Sequence, residues 1–124
     1  MAEEVYYCSD NHNGANGFYN NKQTGQYERA VFHENKFKMK LQDDGNIVID
    51  NQGFGKDLYI CSTPYDGVIT EIFKNAKSCA DDNHNGWFFN FNTNTGKYVY
   101  LRASGYVFGD GDDVETRIGT CTKF

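Results

Sequence analysis

The side chains best suited to acid–base chemistry near neutral pH are His12, His33 and His84. Two of them stand in matching runs, Cys8-Ser9-Asp10-Asn11-His12-Asn13-Gly14 and Cys79-Ala80-Asp81-Asp82-Asn83-His84-Asn85-Gly86. As a pair they would exchange protons with a phosphodiester. Glu28 or Glu34 would add a second proton carrier, and Arg29 a cation for the phosphorane, which together make up a ribonuclease's needs. The same residues admit other readings. Asp81-x-Asn83-x-Asn85-Gly86 matches the opening of a calcium loop, although its twelfth position is Asn92 where a bidentate Glu belongs. The plainest reading is two Asn-Gly turns carrying exposed histidines. Asp110-Gly111-Asp112-Asp113 reads as a solvated turn. No Gly-x-Ser-x-Gly, phosphate loop or His-Glu-x-x-His run occurs, and neither a metal nor a cofactor is expected.

A different chemistry attaches to Gln42-Asp43-Asp44-Gly45-Asn46-Ile47-Val48-Ile49-Asp50. This run resembles the Gln-x-Asp-x-Asn-x-Val-x-Tyr motif of the bulb-type mannose-binding lectins, with Asp50 where the family has Tyr. The resemblance implies that Gln42, Asp44 and Asn46 meet sugar hydroxyls. A hairpin with an Asp-Gly turn accounts for the same residues without a ligand.

These side chains need elements to hold them. The 124 residues suffice for one domain, 1–124, able to bury roughly two thirds of the chain's surface. Hydrophobic residues reach only 39%, but ten Phe, nine Tyr and one Trp supply large rings for a core. A net charge of −5 opposes a polyanion such as DNA, and no apolar stretch is long enough for a membrane helix, so neither partner is expected. Cys8, Cys61, Cys79 and Cys121 lack any Cys-x-x-Cys spacing; two disulfides and an oxidising compartment fit better than zinc. Met1-Ala2-Glu3-Glu4 has no signal-peptide character, so a mature secreted chain begun at an added start codon is expected.

The repeat is the clearest organising signal. Each copy continues into an aromatic segment, Gly17-Phe18-Tyr19 or Trp87-Phe88-Phe89, and then a turn, Thr24-Gly25-Gln26-Tyr27 or Thr95-Gly96-Lys97-Tyr98. The copies start near 8 and 79, 71 positions apart, which predicts a duplicated β-unit with two sub-sheets on one core. Lys36, Lys38 and Lys40 alternate with Phe37, Met39 and Leu41, predicting a strand with its lysines on one solvated face, an edge guarded against aggregation rather than a phosphate-binding stripe. Asp43-Asp44-Gly45 then turns that strand into Ile47-Val48-Ile49. Tyr98–Leu101 and Tyr106–Phe108 read as further strands. Thr63-Pro64 and Asp66 open a helix over 64–77, with Val68, Ile69, Ile72, Phe73 and Ala76 on one face. The expected fold class is α+β, mainly antiparallel β, with one helix packed on the sheet.

Tyr6-Tyr7-Cys8 near the start and Cys121 near the end resemble the two ends of small secreted fungal effectors, the RNase-like proteins associated with haustoria. Glu28-Arg29-Ala30-Val31-Phe32-His33-Glu34-Asn35 is similar to an Arg-containing strand of the T1-type guanyl ribonucleases. The resemblance implies a T1-type fold, a Cys8–Cys121 bridge, a role in virulence, and a host protein or immune receptor as partner. Cys61–Cys79 would then bridge the ends of the helix, whereas the duplication favours Cys8–Cys61 with Cys79–Cys121. The T1-type Tyr-Pro-His and Ile-Thr-His elements are missing, so no RNA cleavage is expected. The leading expectation is a monomeric, non-catalytic secreted protein acting on a host protein. Behind it stand a mannose-binding module using Gln42, Asp44 and Asn46, and a ribonuclease using His12, His84 or His33 with Glu28 and Arg29.

Overall fold

Among the described residues the chain forms nine strands and one short helix. They are β1 (Glu4–Asn21), β2 (Gln26–Val31), β3 (Lys36–Leu41), β4 (Ile47–Asp50), β5 (Lys56–Ser62), β6 (Ala76–Asp81), β7 (Trp87–Asn92), β8 (Lys97–Arg102), α1 (Ser104–Phe108) and β9 (Val114–Lys123). The computed structural model describes residues 3–50, 56–62, 75–83, 86–109 and 111–124. Neighbours pair antiparallel in the order β1-β3-β4-β5-β6-β7-β8-β9, and β9 returns to β1, closing eight strands into a barrel. The domain is therefore α+β and mainly antiparallel, with one helix on the sheet and two disulfides, as expected. The two sub-sheets are not there: one closed surface surrounds one core. That closure also overturns the T1-type fold, which is an open sheet.

An eight-stranded barrel has a lumen just wide enough for side chains to fill. On β3 the inward residue Met39 is fully buried, as are Ile47 on β4, Tyr59 on β5, and Cys79 and Phe89 on β6 and β7. The Phe89 ring stacks on Tyr98 and Phe91 at centroid distances of 5.5 and 6.2 Å, and Phe37 meets Tyr98 edge-on at 5.3 Å. Pairs of this kind contribute about 0.5–1.5 kcal/mol beyond burial. Lys38 and Lys40 face outward as expected, while Lys36 at the start of β3 reaches the barrel mouth; β3 lies between β1 and β4 and is not an edge.

Cys8–Cys121 crosses the β1/β9 seam that closes the barrel, and Cys61–Cys79 joins β5 to β6. Each bridge ties the end of one repeat copy to the start of the other. The pairing within each repeat is excluded because Cys8 and Cys61 lie on strands that are not neighbours.

The duplication is clearest in two turns. Asn21 Oδ1 accepts from the N–H groups of Gln23 and Thr24, and Asn92 Oδ1 does the same for Asn94 and Thr95. Gly25 and Gly96 then take φ of +73° and +77°. The histidine runs diverge. β6 and β7 pair with each other, whereas β1 runs on through a bulge between Asp10 and Ala15. Both edges of β1's first half are already taken by β3 and β9, so its continuation has no edge to fold back on. It stays paired with β9 through Ala15–Phe18 and forms a hairpin with β2 on its other edge.

Two expectations need correction or relocation. Tyr106–Phe108 is helical: Gly109 takes φ of +77° and donates its N–H to the Gly105 carbonyl, and the Tyr106 ring meets Tyr27 edge-on. The helix over 64–77 lies outside the described residues except at its end, where Ala76 and Lys77 begin β6.

Candidate functional site

At the end of the barrel where β1 leaves it, the lumen opens. Register places Trp87, Arg102 and Glu115 side by side on β7, β8 and β9, and Phe89, Tyr100 and Arg117 one row deeper. Residues directly opposite share a face, and buried Phe89 marks that face as inward. The resulting cavity is about 720 Å³. Phe37, Ile49, Tyr59, Trp87 and Tyr100 form its apolar wall, and Glu34, Lys36, Arg102, Glu115 and Arg117 its charged one. Barrel mouths are a preferred place for ligand sites of this size and mixture.

The floor is a buried polar cluster. Asp10, with a fully buried side chain, accepts from Tyr98 Oη at 2.6 Å, from Arg117 Nη1 at 2.7 Å and from the Asn35 N–H at 2.8 Å. Gly119 on β9 makes this possible, since any side chain there would collide with the Tyr98 ring. Burial first, and then the bond to Asp10, pushes the Tyr98 hydroxyl well above the ordinary tyrosine range.

From the floor a ladder of alternating charge climbs one wall. Arg117 Nε meets Glu115 Oε2 at 3.0 Å, Glu115 Oε1 meets Arg102 Nη1 at 3.4 Å, and Arg102 Nη2 meets Asp112 Oδ2 at 3.0 Å. Burial opposes the charge on each arginine, but the carboxylates on either side more than offset it, so both stay above their ordinary range. Arg102 also lies over the Trp87 ring, 5.4 Å from its centroid. Its Nε has no acceptor among the described residues.

The structure scatters most of the residues singled out from sequence. His12 sits on the β1 bulge with its side chain 87% exposed and Nδ1 3.9 Å from Glu34 Oε1 at the rim. His33 is exposed, and only its carbonyl takes part, accepting from Arg117. His84 lies outside the described residues. Glu28 stays on the hairpin, accepting from Tyr19 and Asn21. Arg29 pairs with Phe18, which is opposite Val114, so it faces away from Glu115 and the lumen. Gln42, Asp44 and Asn46 lie at the other end of the barrel. There the Asn46 amide donates to Asp44 Oδ2 and its oxygen accepts from the Cys61 N–H. Asp81 turns inward to accept from the Trp87 N–H, and among the described residues no metal-binding cluster forms.

Sequence reasoning missed Trp87, Tyr100, Arg102, Glu115 and Arg117. The signal was parity: on β9, Glu115 and Arg117 share a face with Cys121, whose expected disulfide marks the inside. Charges on an inward face indicate a site; read along the sequence alone, they pass for surface.

The effector reading does not survive this geometry. Its T1-type open sheet is replaced by a closed barrel, and its ribonuclease residues do not converge. Compared with known protein families, curated proteins and solved structures, the chain matches none, so nothing from homology supports an effector or virulence role.

Proposed function

We propose that the protein is a secreted, non-catalytic carbohydrate-binding module that holds a small saccharide in the open mouth of its barrel. The observation that carries this is one cavity in which Trp87 and Tyr100 stand beside Arg102, Glu115 and Arg117. A pyranose has an apolar C–H face and a rim of hydroxyls. Aromatic side chains suit the first, and charged hydrogen-bonding groups already held in place suit the second. The two disulfides support an oxidising compartment, where glycans are abundant. Relative to the sugar-binding set drawn from Gln42, Asp44 and Asn46, the ligand moves to the opposite end, because Asn46 already spends its amide on the turn.

Trp87 is the sole tryptophan, so its fluorescence reports on the site directly. A glycan array followed by fluorescence titration is expected to find saccharides that change that emission. Trp87→Phe should weaken binding on the array about tenfold or more, as truncating an aromatic anchor does, while Asn46→Ala leaves it intact. A silent array would refute the reading. Binding lost in Asn46→Ala but kept in Trp87→Phe would return the site to the β3–β4 turn.

A further inference from the structure

Resting on the saccharide reading, we infer that the mouth selects neutral sugars presenting a vicinal diol and rejects their acidic counterparts. The charge ladder carries this. Arg117 stands between Asp10 and Glu115, and Arg102 between Glu115 and Asp112. Three carboxylates thus serve two guanidinium groups, and Glu34 adds another carboxylate to the same lining. Lys36 is the remaining cation there. A ligand carboxylate would need an arginine fork free of its own acid, and neither arginine offers one. It would also enter against the carboxylates it meets first.

A hydroxyl faces no such conflict. Each hydroxyl both donates and accepts, so it matches a wall on which N–H donors and carboxylate acceptors alternate. Two adjacent hydroxyls on a ring can bridge Arg102 and Glu115 together, because register holds those residues directly opposite on β8 and β9. Trp87, opposite Arg102 on the next strand, is placed to take the ring's C–H face. Glu115 is then the specificity residue: it keeps both arginines occupied and offers an acceptor that a hydroxyl can donate to and an ionised ligand carboxylate, with no proton to give, cannot.

The test uses the oxidised full chain and Trp87 emission. Methyl glucoside, methyl galactoside and methyl mannoside are titrated beside glucuronic, galacturonic and mannuronic acids. The neutral sugar that binds best should exceed its uronic acid at least tenfold. Glu115→Gln removes the carboxylate that the two arginines share, leaving each with one acid instead of two, and should narrow or reverse that preference by at least tenfold. If Glu115→Gln fails to fold by circular dichroism, Asp112→Asn makes the same test from the ladder's other end, where the carboxylate is half exposed. A uronic acid binding as tightly as its neutral counterpart, or a preference unmoved by the folded variant, overturns the inference and leaves saccharide binding standing. No response to any sugar, here and on the array, overturns both.

Discussion

Replacing Arg117 with Met should be the most damaging single change to the charged wall. The Asp10 side chain is fully buried and that of Arg117 only 9% exposed, with 2.7 Å between Nη1 and Oδ2. Arg117→Met leaves the carboxylate in the lumen with Tyr98 Oη and the Asn35 N–H, both neutral donors. Removing one partner of a buried pair costs about 3–5 kcal/mol, against ~1 kcal/mol or less for a solvated pair such as Lys123–Glu4. A domain's whole stability is about 5–15 kcal/mol, so the loss is a large share of it. For a chain of this size each kcal/mol moves Tm by roughly 3–5 °C, which predicts a fall of roughly 10–20 °C. Thermal unfolding by circular dichroism, with both disulfides kept intact, measures it. The double variant Asp10→Asn with Arg117→Met should cost less than the two singles combined, by about 1–3 kcal/mol, because no buried charge is then left unpaired. A single variant melting within roughly 3 °C of the parent would show that Asp10 is not held as a buried carboxylate by Arg117.

Three further outcomes follow from the same structure. Bridges closing sequence separations of 18 and 113 residues should be worth about 3 and about 5 kcal/mol on chain entropy, so Cys8→Ala with Cys121→Ala should lower the denaturant midpoint more than Cys61→Ala with Cys79→Ala. Gly25 and Gly96 share a turn conformation, but a Cβ at Gly25 enters open space while one at Gly96 strikes the Cys121 carbonyl. Gly25→Ala should cost about 1 kcal/mol and Gly96→Ala roughly 2 kcal/mol or more by the same unfolding assay. Burial, aided by the bond to Glu4, raises the Tyr6 hydroxyl to about 12, and burial raises those of Tyr59 and Tyr98 further. The neutral phenols favour the folded state, so their contribution is complete below about pH 10 and is lost as pH climbs through the raised values. Ultraviolet difference titration should find these three still protonated above pH 10; full ionisation of all nine near pH 10 with the fold intact would contradict the packing.

How much of this was legible depended on whether a signal was local. The β3–β4 hairpin was, because Phe37, Met39 and Leu41 alternate with lysines and Asp43-Asp44-Gly45 demands a turn. The Asn-x-x-Thr-Gly turns were too, since their side-chain bonds span only two or three residues. Barrel closure was not. It is decided by β9 meeting β1 across more than a hundred residues, and nothing in either strand alone names the other. The histidine runs show the same limit from the opposite side. Near-identical sequences end as a hairpin between β6 and β7 and as a bulge in β1, because β1 there already pairs with β3 and β9 and cannot fold back on itself, whereas β6 pairs with β5 on one edge and keeps the other for β7. Tyr106–Phe108 misled for a simpler reason: three consecutive strand-favouring residues cannot outweigh a glycine free to take a positive φ just after them.

The inward residues change character toward one end of the barrel. β1 runs Tyr6, Cys8, Asp10; β8 runs Tyr98, Tyr100, Arg102; β9 runs Cys121, Gly119, Arg117, Glu115. Toward the other end the same faces hold rings, sulfur and aliphatic chains. Stability does not require the charged rows, since apolar residues of similar volume commonly replace buried ion pairs at no cost. Nor does closure require them, because the seam is already held by its ladder and by Cys8–Cys121. What the rows do provide is a set of donors and acceptors fixed by cross-strand register before any ligand arrives. A loop on the surface would have to order itself on binding and lose affinity in doing so. Glu115 and Arg102, held opposite each other on paired strands, do not. The charged mouth is therefore better explained by the saccharide binding proposed for it than by stability.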